Sequence, residues 1–141
     1  MKKVHEKENR MPVTALYAGL LVPIFVLLSF RVIAVRRDQK ISVGDAGDVG
    51  LLRRMRVHAN FAEYVPLALI LMGLAESLKT SAWLLHALGI ALVAARLSHA
   101  YGMSQAKDVL PLRAGGVVTT FTVLIAAALA CVMGALRQGV I

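Results

Sequence analysis

Four apolar runs, at residues 13–35, 52–75, 82–101 and 113–136, leave this chain very little choice of architecture. In hydrocarbon every backbone N–H and C=O needs an internal partner, so a spanning segment is either a helix or part of a closed barrel. A helix needs about 20 residues to cross, whereas a tilted strand needs only about 9–11, and the runs match the helix. The expected fold is therefore an all-α membrane protein, a four-transmembrane-helix bundle, in a single domain over residues 1–141. The chain is 58% hydrophobic with a mean hydropathy of +0.70, against about 45–50% apolar residues in soluble domains. The first run is too long for the core of a signal peptide and lacks a clear small-residue cleavage site, so it reads as a span.

Sixteen Lys and Arg against eight Asp and Glu give a net charge of +8. In a soluble protein that excess would suggest nucleic-acid binding. Here the cations fall mainly in the tail at residues 1–11 and in the connections, with no nucleic-acid motif. Beside apolar spans they read as topology signals and contacts for anionic headgroups. Outside the span interiors, Lys2, Lys3, Lys7, Arg10, Lys79 and Arg137 lie on one side; Arg36, Arg37, Lys40, Arg53, Arg54, Arg56, Lys107 and Arg113 lie on the other. The positive-inside rule places the second set, with both long connections, in the cytoplasm. Cys131 is the only cysteine and sits in the last apolar run, which rules out an intrachain disulfide and favours packing.

Residues 36–54, punctuated by Gly44, Gly47 and Gly50, read as a polar loop. A phosphate-cradling loop would need a preceding strand and a Walker or dinucleotide pattern, and neither is present. Residues 76–80 read as a short connection and residues 102–112 as a second polar one, while Trp83 suits an interfacial belt at the start of the third span. In the fourth span Thr122, Ala126, Ala130 and Gly134 recur every four residues, a spacing that lets a neighbouring helix approach closely.

The second span is the unusual one, because ionisable side chains enter it. A charge at mid-membrane costs roughly 2.5–3.5 kcal/mol on insertion scales, so such residues tend to face a bundle interior or a wet cavity. With about 100° per residue and Arg56 at zero, Asn60 lies near 40°, Glu63 near −20° and Arg53 near 60°, so these four share a face. His58, near 200°, looks toward a neighbouring helix or the headgroups. In the third span Arg96 and His99 share a face three residues apart. An Arg–Glu63 ion pair locking the second and third helices would explain part of this. At about 4 Å and an effective dielectric of 20 it contributes roughly 4 kcal/mol. Yet Arg53, Arg56, Arg96, Arg113 and the Arg36–Arg37 pair outnumber Glu63 at this end. The surplus suits a ligand with carboxylates, which guanidinium groups grip in bidentate fashion, and with an amine for Asn60 and Glu63; phosphate would be repelled by Glu63.

The pattern Arg56-x-His58-x-Asn60-x-x-Glu63, followed by Arg96-x-x-His99 and Arg113, resembles the MAPEG family, the membrane-associated proteins in eicosanoid and glutathione metabolism. The resemblance covers about residues 13–136 and is nearest the bacterial inner-membrane branch, through phrases such as Val43-Gly44-Asp45 and Asn60-Phe61-Ala62-Glu63-Tyr64. It implies a homotrimer of four-helix subunits in the inner membrane, with glutathione as co-substrate bound between subunits near the cytoplasmic face. On this likeness Arg56, Asn60 and Glu63 match the second-helix glutathione ligands, and Arg96 and His99 the third-helix pattern. Arg36 or Arg37 matches the arginine closing the first helix. Arg113 matches the arginine near the glutathione sulfur, and no metal is implied.

Two departures bear on chemistry. Met103 stands where eukaryotic members carry a tyrosine four residues after the histidine, and Ala114 follows Arg113 where some relatives have a serine. The resemblance therefore implies a glutathione transferase or peroxidase acting on small hydrophobic electrophiles, with a non-catalytic lipid- or ligand-binding scaffold as the alternative. A transporter or proton relay through Glu63 and His99 is a third reading.

Overall fold

A computed structural model describes residues 11–105, 107 and 109–139; the expected basic tail, with Lys2, Lys3, Lys7 and Arg10, lies outside them. Four helices follow in order: α1 Pro12–Asp38, α2 Val49–Ser77, α3 Ala82–Ser104 and α4 Leu110–Arg137. Each is long and apolar enough to cross a membrane. The 23-residue α3, at 1.5 Å per residue, extends about 34 Å, enough for the hydrocarbon layer. The expected spans thus lie inside the helices, which run a turn or so further into the interface.

Helix α2 packs against all three others, and α1 and α4 make no contact among the described residues. Along α3, Leu85, Leu88, Leu92, Ala95, Arg96 and His99 form one buried face, so the two ionisable residues continue the leucine ridge. Gly89 in the same helix leaves room for the Tyr17 ring of α1, whose hydroxyl is 3.0 Å from His86 Nδ1. Outward residues such as Phe30, Ile90 and Ile125 are exposed, as lipid-facing positions should be. Trp83, at the start of α3, is 85% exposed.

Three expectations are corrected. The loop at 36–54 is shorter, because α1 continues to Asp38 and α2 begins at Val49. Asp48 caps α2 by accepting the Leu51 N–H at 2.9 Å, and Gln39 Nε2 donates to its other oxygen at 2.7 Å. These hydrogen bonds, from Gln39 first, hold the Asp48 carboxyl below its ordinary value of 3.8. Gly44 and Gly47, at φ 72° and 79°, supply the left-handed turns that bring the chain back.

The second correction concerns Glu76, expected in a connection but buried in the last turns of α2. Its two oxygens accept the N–H of Val13 at 2.9 Å and of Thr14 at 2.8 Å. Pro12 has no N–H and Met11 offers no cap, so these are amides that a helix N-terminus leaves orphaned. A carboxylate there also complements the helix dipole.

The third concerns α4. Its buried face is Gly116, Thr120, Val123, Ala127 and Gly134, whereas Thr122 is exposed. A strict four-residue spacing drifts about 40° per step, so the stripe winds from exposed Thr122 through partly buried Ala126 and Ala130 to buried Gly134. Within the stripe close approach occurs at Gly134, where a Cβ would lie 2.7 Å from the Leu78 Cβ; a second close approach, outside the stripe, is at Gly116, where a Cβ would lie 2.6 Å from the Ala95 carbonyl oxygen and 2.8 Å from His99. Cys131 is a packing residue as expected, its thiol 3.1 Å from the Leu71 carbonyl.

Candidate functional site

Arg56, Asn60 and Glu63 of α2 line one cavity together with His99 and Met103 of α3 and Arg113 and Val117 of α4. It holds about 250 Å³ and is partly open. The helical spacing on α2 brings its three residues together. Arg56 and Glu63 are exposed in the single chain, Asn60 and Arg113 half-buried, and His99 buried. The α3–α4 contact at Gly116 sets how near His99 and Arg113 approach, and the bend after α3 brings Val109 N–H onto the Gly102 carbonyl at 3.1 Å.

Arg96 stands behind the cavity rather than in its wall. It is 1% exposed, and Nη1 donates to Asn60 Oδ1 at 2.8 Å and to the Asn60 carbonyl at 3.4 Å. Nη2 reaches the Gly116 carbonyl at 3.5 Å, and Nε has no partner. The link between α2 and α3 is therefore an arginine on a neutral amide, in place of the expected ion pair with Glu63. It fixes the Asn60 side chain through its oxygen, which turns the NH₂ end away from Arg96. A buried guanidinium whose bonds all go to neutral oxygens also leaves a positive potential next to the cavity.

Arg36 and Arg53 lie elsewhere. Arg36 folds onto its own loop, donating to the carbonyls of Ser42 at 3.2 Å and Gly44 at 3.1 Å. Arg53 leaves the expected shared face and donates to the Gln105 carbonyl at 2.7 Å. His58 turns to α1, where Nε2 is 3.0 Å from Ser29 Oγ and the ring lies 4.9 Å from that of Phe25. Val117 and Gly116 were not singled out in the sequence. Their signal was position: Val117 is one turn beyond Arg113 and so shares its face.

Met103 lines the cavity, whereas Tyr101 is 59% exposed and points elsewhere. The wall therefore offers guanidinium, imidazole, amide and carboxylate groups, and no tyrosine hydroxyl. Such a set can bind carboxylates through its arginines and an amine through Glu63.

Comparison with known proteins agrees with this picture. The inner membrane protein YecN of Escherichia coli K12 is 39% identical over 90 residues, which cover 64% of this chain and 69% of YecN. YecN of E. coli O6:H1 matches to the same extent. Together with the four spanning helices, this makes the chain a multi-pass inner-membrane protein. The MAPEG family model matches residues 14–133, from the first turn of α1 to about one turn before the end of α4 and including every residue of the cavity, and the chain belongs to that family.

Proposed function

We propose that the protein binds glutathione in the α2–α3–α4 cavity and joins it, through its sulfur, to small hydrophobic electrophiles that arrive through the bilayer. The observation that carries this reading is the wall itself, where Arg56, Asn60 and Glu63 of α2 and Arg113 of α4 line one cavity of about 250 Å³. Two guanidinium groups suit the two carboxylates of the tripeptide, and Glu63 suits its ammonium. Arg96, buried behind Asn60, adds positive potential that favours an anionic guest. In the reading we adopt, the chain is a homotrimer and the open side of the cavity is closed by a neighbouring subunit near the cytoplasmic face.

Chemistry requires a thiolate. A thiol has a pKa of about 8.5, and a nearby cation favours the charged form. Arg113 is the residue assigned to that task, lowering the thiol pKa by one or two units on the general scale of such pairs. The thiol proton leaves to solvent, the sulfur lone pair forms the new S–C bond, and the electrophile expels its leaving group or takes up a proton after addition. Holding both reactants in order supplies much of the remaining acceleration.

A second reading, a binding protein without chemistry, is favoured by Met103 in the wall and by Ala114 after Arg113. Calorimetric titration of the detergent-purified chain with glutathione tests the common part. Saturable binding lost in Arg56→Ala and Glu63→Ala supports the site, and no binding to folded wild type overturns it. Thiolate absorbance of the bound ligand then separates the readings. The transferase reading expects it in wild type and expects Arg113→Ala to lower it about tenfold or more, with a smaller change in affinity. A ligand bound wholly as thiol supports the scaffold.

A further inference from the structure

A second polar cavity lies at the same end of the bundle, on the neighbouring face of α2. Arg31, Val49, Gly50, Arg53, Arg54, Val57, Ser104 and Gln105 line it, and it too holds about 250 Å³. Relative to Arg56, the residues Gly50, Arg53, Arg54 and Val57 centre near 110° around α2, whereas Arg56, Asn60 and Glu63 centre near 10°. The two cavities share no lining residue. They also differ in chemistry, since Glu63 lines the first and, among the described residues, no acidic side chain lines the second.

Its three arginines are half-buried, and each donates to a neutral oxygen. Arg31 Nη1 donates to Ser104 Oγ at 2.8 Å, Arg54 Nη1 to the Arg31 carbonyl at 3.3 Å, and Arg53 Nη1 to the Gln105 carbonyl at 2.7 Å. Asp48 lies within electrostatic reach of Arg54, but its carboxylate is engaged by Leu51 and Gln39. A guanidinium carries five N–H donors, so one such bond each leaves the fork of Arg31 and of Arg54 with donors to offer. Guanidinium groups from two helices around one small cavity repel one another unless an anion lies between them. A phosphate, with oxygens on every side, meets donors from several directions better than a planar carboxylate does.

Depth indicates where such a phosphate comes from. Arg31 lies seven residues before the end of α1 at Asp38, about 10 Å along the axis, while Val49 and Gly50 open α2 and Ser104 closes α3. The cavity therefore sits at the boundary between the spans and water, the level of lipid headgroups. We propose that this arginine cavity binds the phosphate group of an anionic molecule, with the headgroup of an anionic phospholipid as the first source and free phosphate as the second. The proposal does not rest on glutathione binding in the other cavity.

The test uses the full chain, purified and delipidated in detergent, titrated with short-chain phosphatidylglycerol, with phosphatidylcholine of equal chain length, and with inorganic phosphate. The expected result is saturable phosphatidylglycerol binding, one per chain, at least tenfold tighter than phosphatidylcholine. Arg31→Gln and Arg54→Gln should each weaken it at least tenfold, while Lys40→Gln, an exposed cation on the nearby loop, should not. If Arg31→Gln does not fold, Arg54→Gln and the charge-keeping Arg31→Lys, which should retain most of the affinity, carry the comparison. Inorganic phosphate binding as tightly as the lipid, with the same variant dependence, would assign the cavity to a soluble phosphate. Equal affinity for both lipids with no phosphate binding, or phosphatidylglycerol affinity unchanged in folded Arg31→Gln and Arg54→Gln, overturns the proposal.

Discussion

Asn60 is where packing and binding meet, and two substitutions there should pull them apart. Its Oδ1 lies 2.8 Å from Arg96 Nη1, and Arg96 is 1% exposed with Nε already unpartnered. Asn60→Ala removes the shortest of the bonds to this guanidinium. A hydrogen bond to a charged group contributes about 1.5–3 kcal/mol, so roughly 2 kcal/mol, or about thirtyfold in the unfolding equilibrium, should be lost. Asn60→Asp instead places a carboxylate against Arg96. At about 4 Å and an effective dielectric of 20 the attraction is roughly 4 kcal/mol, enough to offset much of the added desolvation and keep stability near wild type.

Binding should respond differently. The new negative charge cancels the positive potential behind the cavity and acts directly on an anionic guest. For a ligand carboxylate about 7 Å away the repulsion is roughly 2 kcal/mol at the same dielectric, about a thirtyfold loss of affinity. Unfolding in detergent–SDS mixtures, followed by circular dichroism, reads the first effect, and calorimetry with glutathione reads the second. Asn60→Ala should lose both stability and affinity, Asn60→Asp affinity alone. Identical SDS midpoints for wild type and Asn60→Ala would refute the claim that the Arg96–Asn60 bond holds α3 on α2. Undiminished affinity in Asn60→Asp would refute an anionic guest in this cavity.

Other consequences follow from the packing. Gly116→Ala pushes a methyl group against the Ala95 carbonyl and His99; overpacking of this kind costs about 1–3 kcal/mol, so a lowered SDS midpoint is expected, and an unchanged one would mean that α3 and α4 yield freely. Glu76→Gln turns an amide NH₂ toward the Val13 or Thr14 N–H and should lose about 2 kcal/mol, seen as faster hydrogen exchange at the start of α1. The Asp48 carboxyl is held below 3.8 in the fold, so its contribution is present above that unfolded value and is lost as pH falls through the lower folded one. Protection of the Leu51 amide, relative to its intrinsic exchange rate at each pH, should therefore fall on acidification below about pH 4, and in Asp48→Asn that fall should be absent.

The spans were legible in the sequence because lipid permits no other use of such runs, and the polar face of α2 because it needs only the angle per residue. Arg56, Asn60 and Glu63 belong to one helix, so no tertiary knowledge enters their grouping. The arginines were the least legible. Arg53 shares much of that face by angle, yet its long side chain reaches the Gln105 carbonyl across the connection after α3. Arg36 is taken up by carbonyls of its own loop. Glu76 bonds amides 62 and 63 residues away, and no local pattern announces such a cap. Gly116 looked like one small residue among many, since what distinguishes it is the α3 backbone against which it lies.

The sorting of charge around α2 gives this end of the bundle its selectivity. Both cavities are rich in arginine, and arginine alone would not tell an amino acid derivative from a phosphate. Glu63 makes the difference, because it lines only one of them. A carboxylate in the wall repels a multiply charged phosphate and attracts an ammonium, while about 100° further around the helix the described wall carries arginines without such a carboxylate and attracts an anion. One helical turn of sequence, from Arg53 to Val57, therefore contributes to two walls of opposite preference. An acidic substitution at the exposed Val49 of the second wall, Val49→Glu, which would carry the chemistry of the first wall into the second, should weaken phosphatidylglycerol binding while leaving Arg56 and Glu63 on their own face.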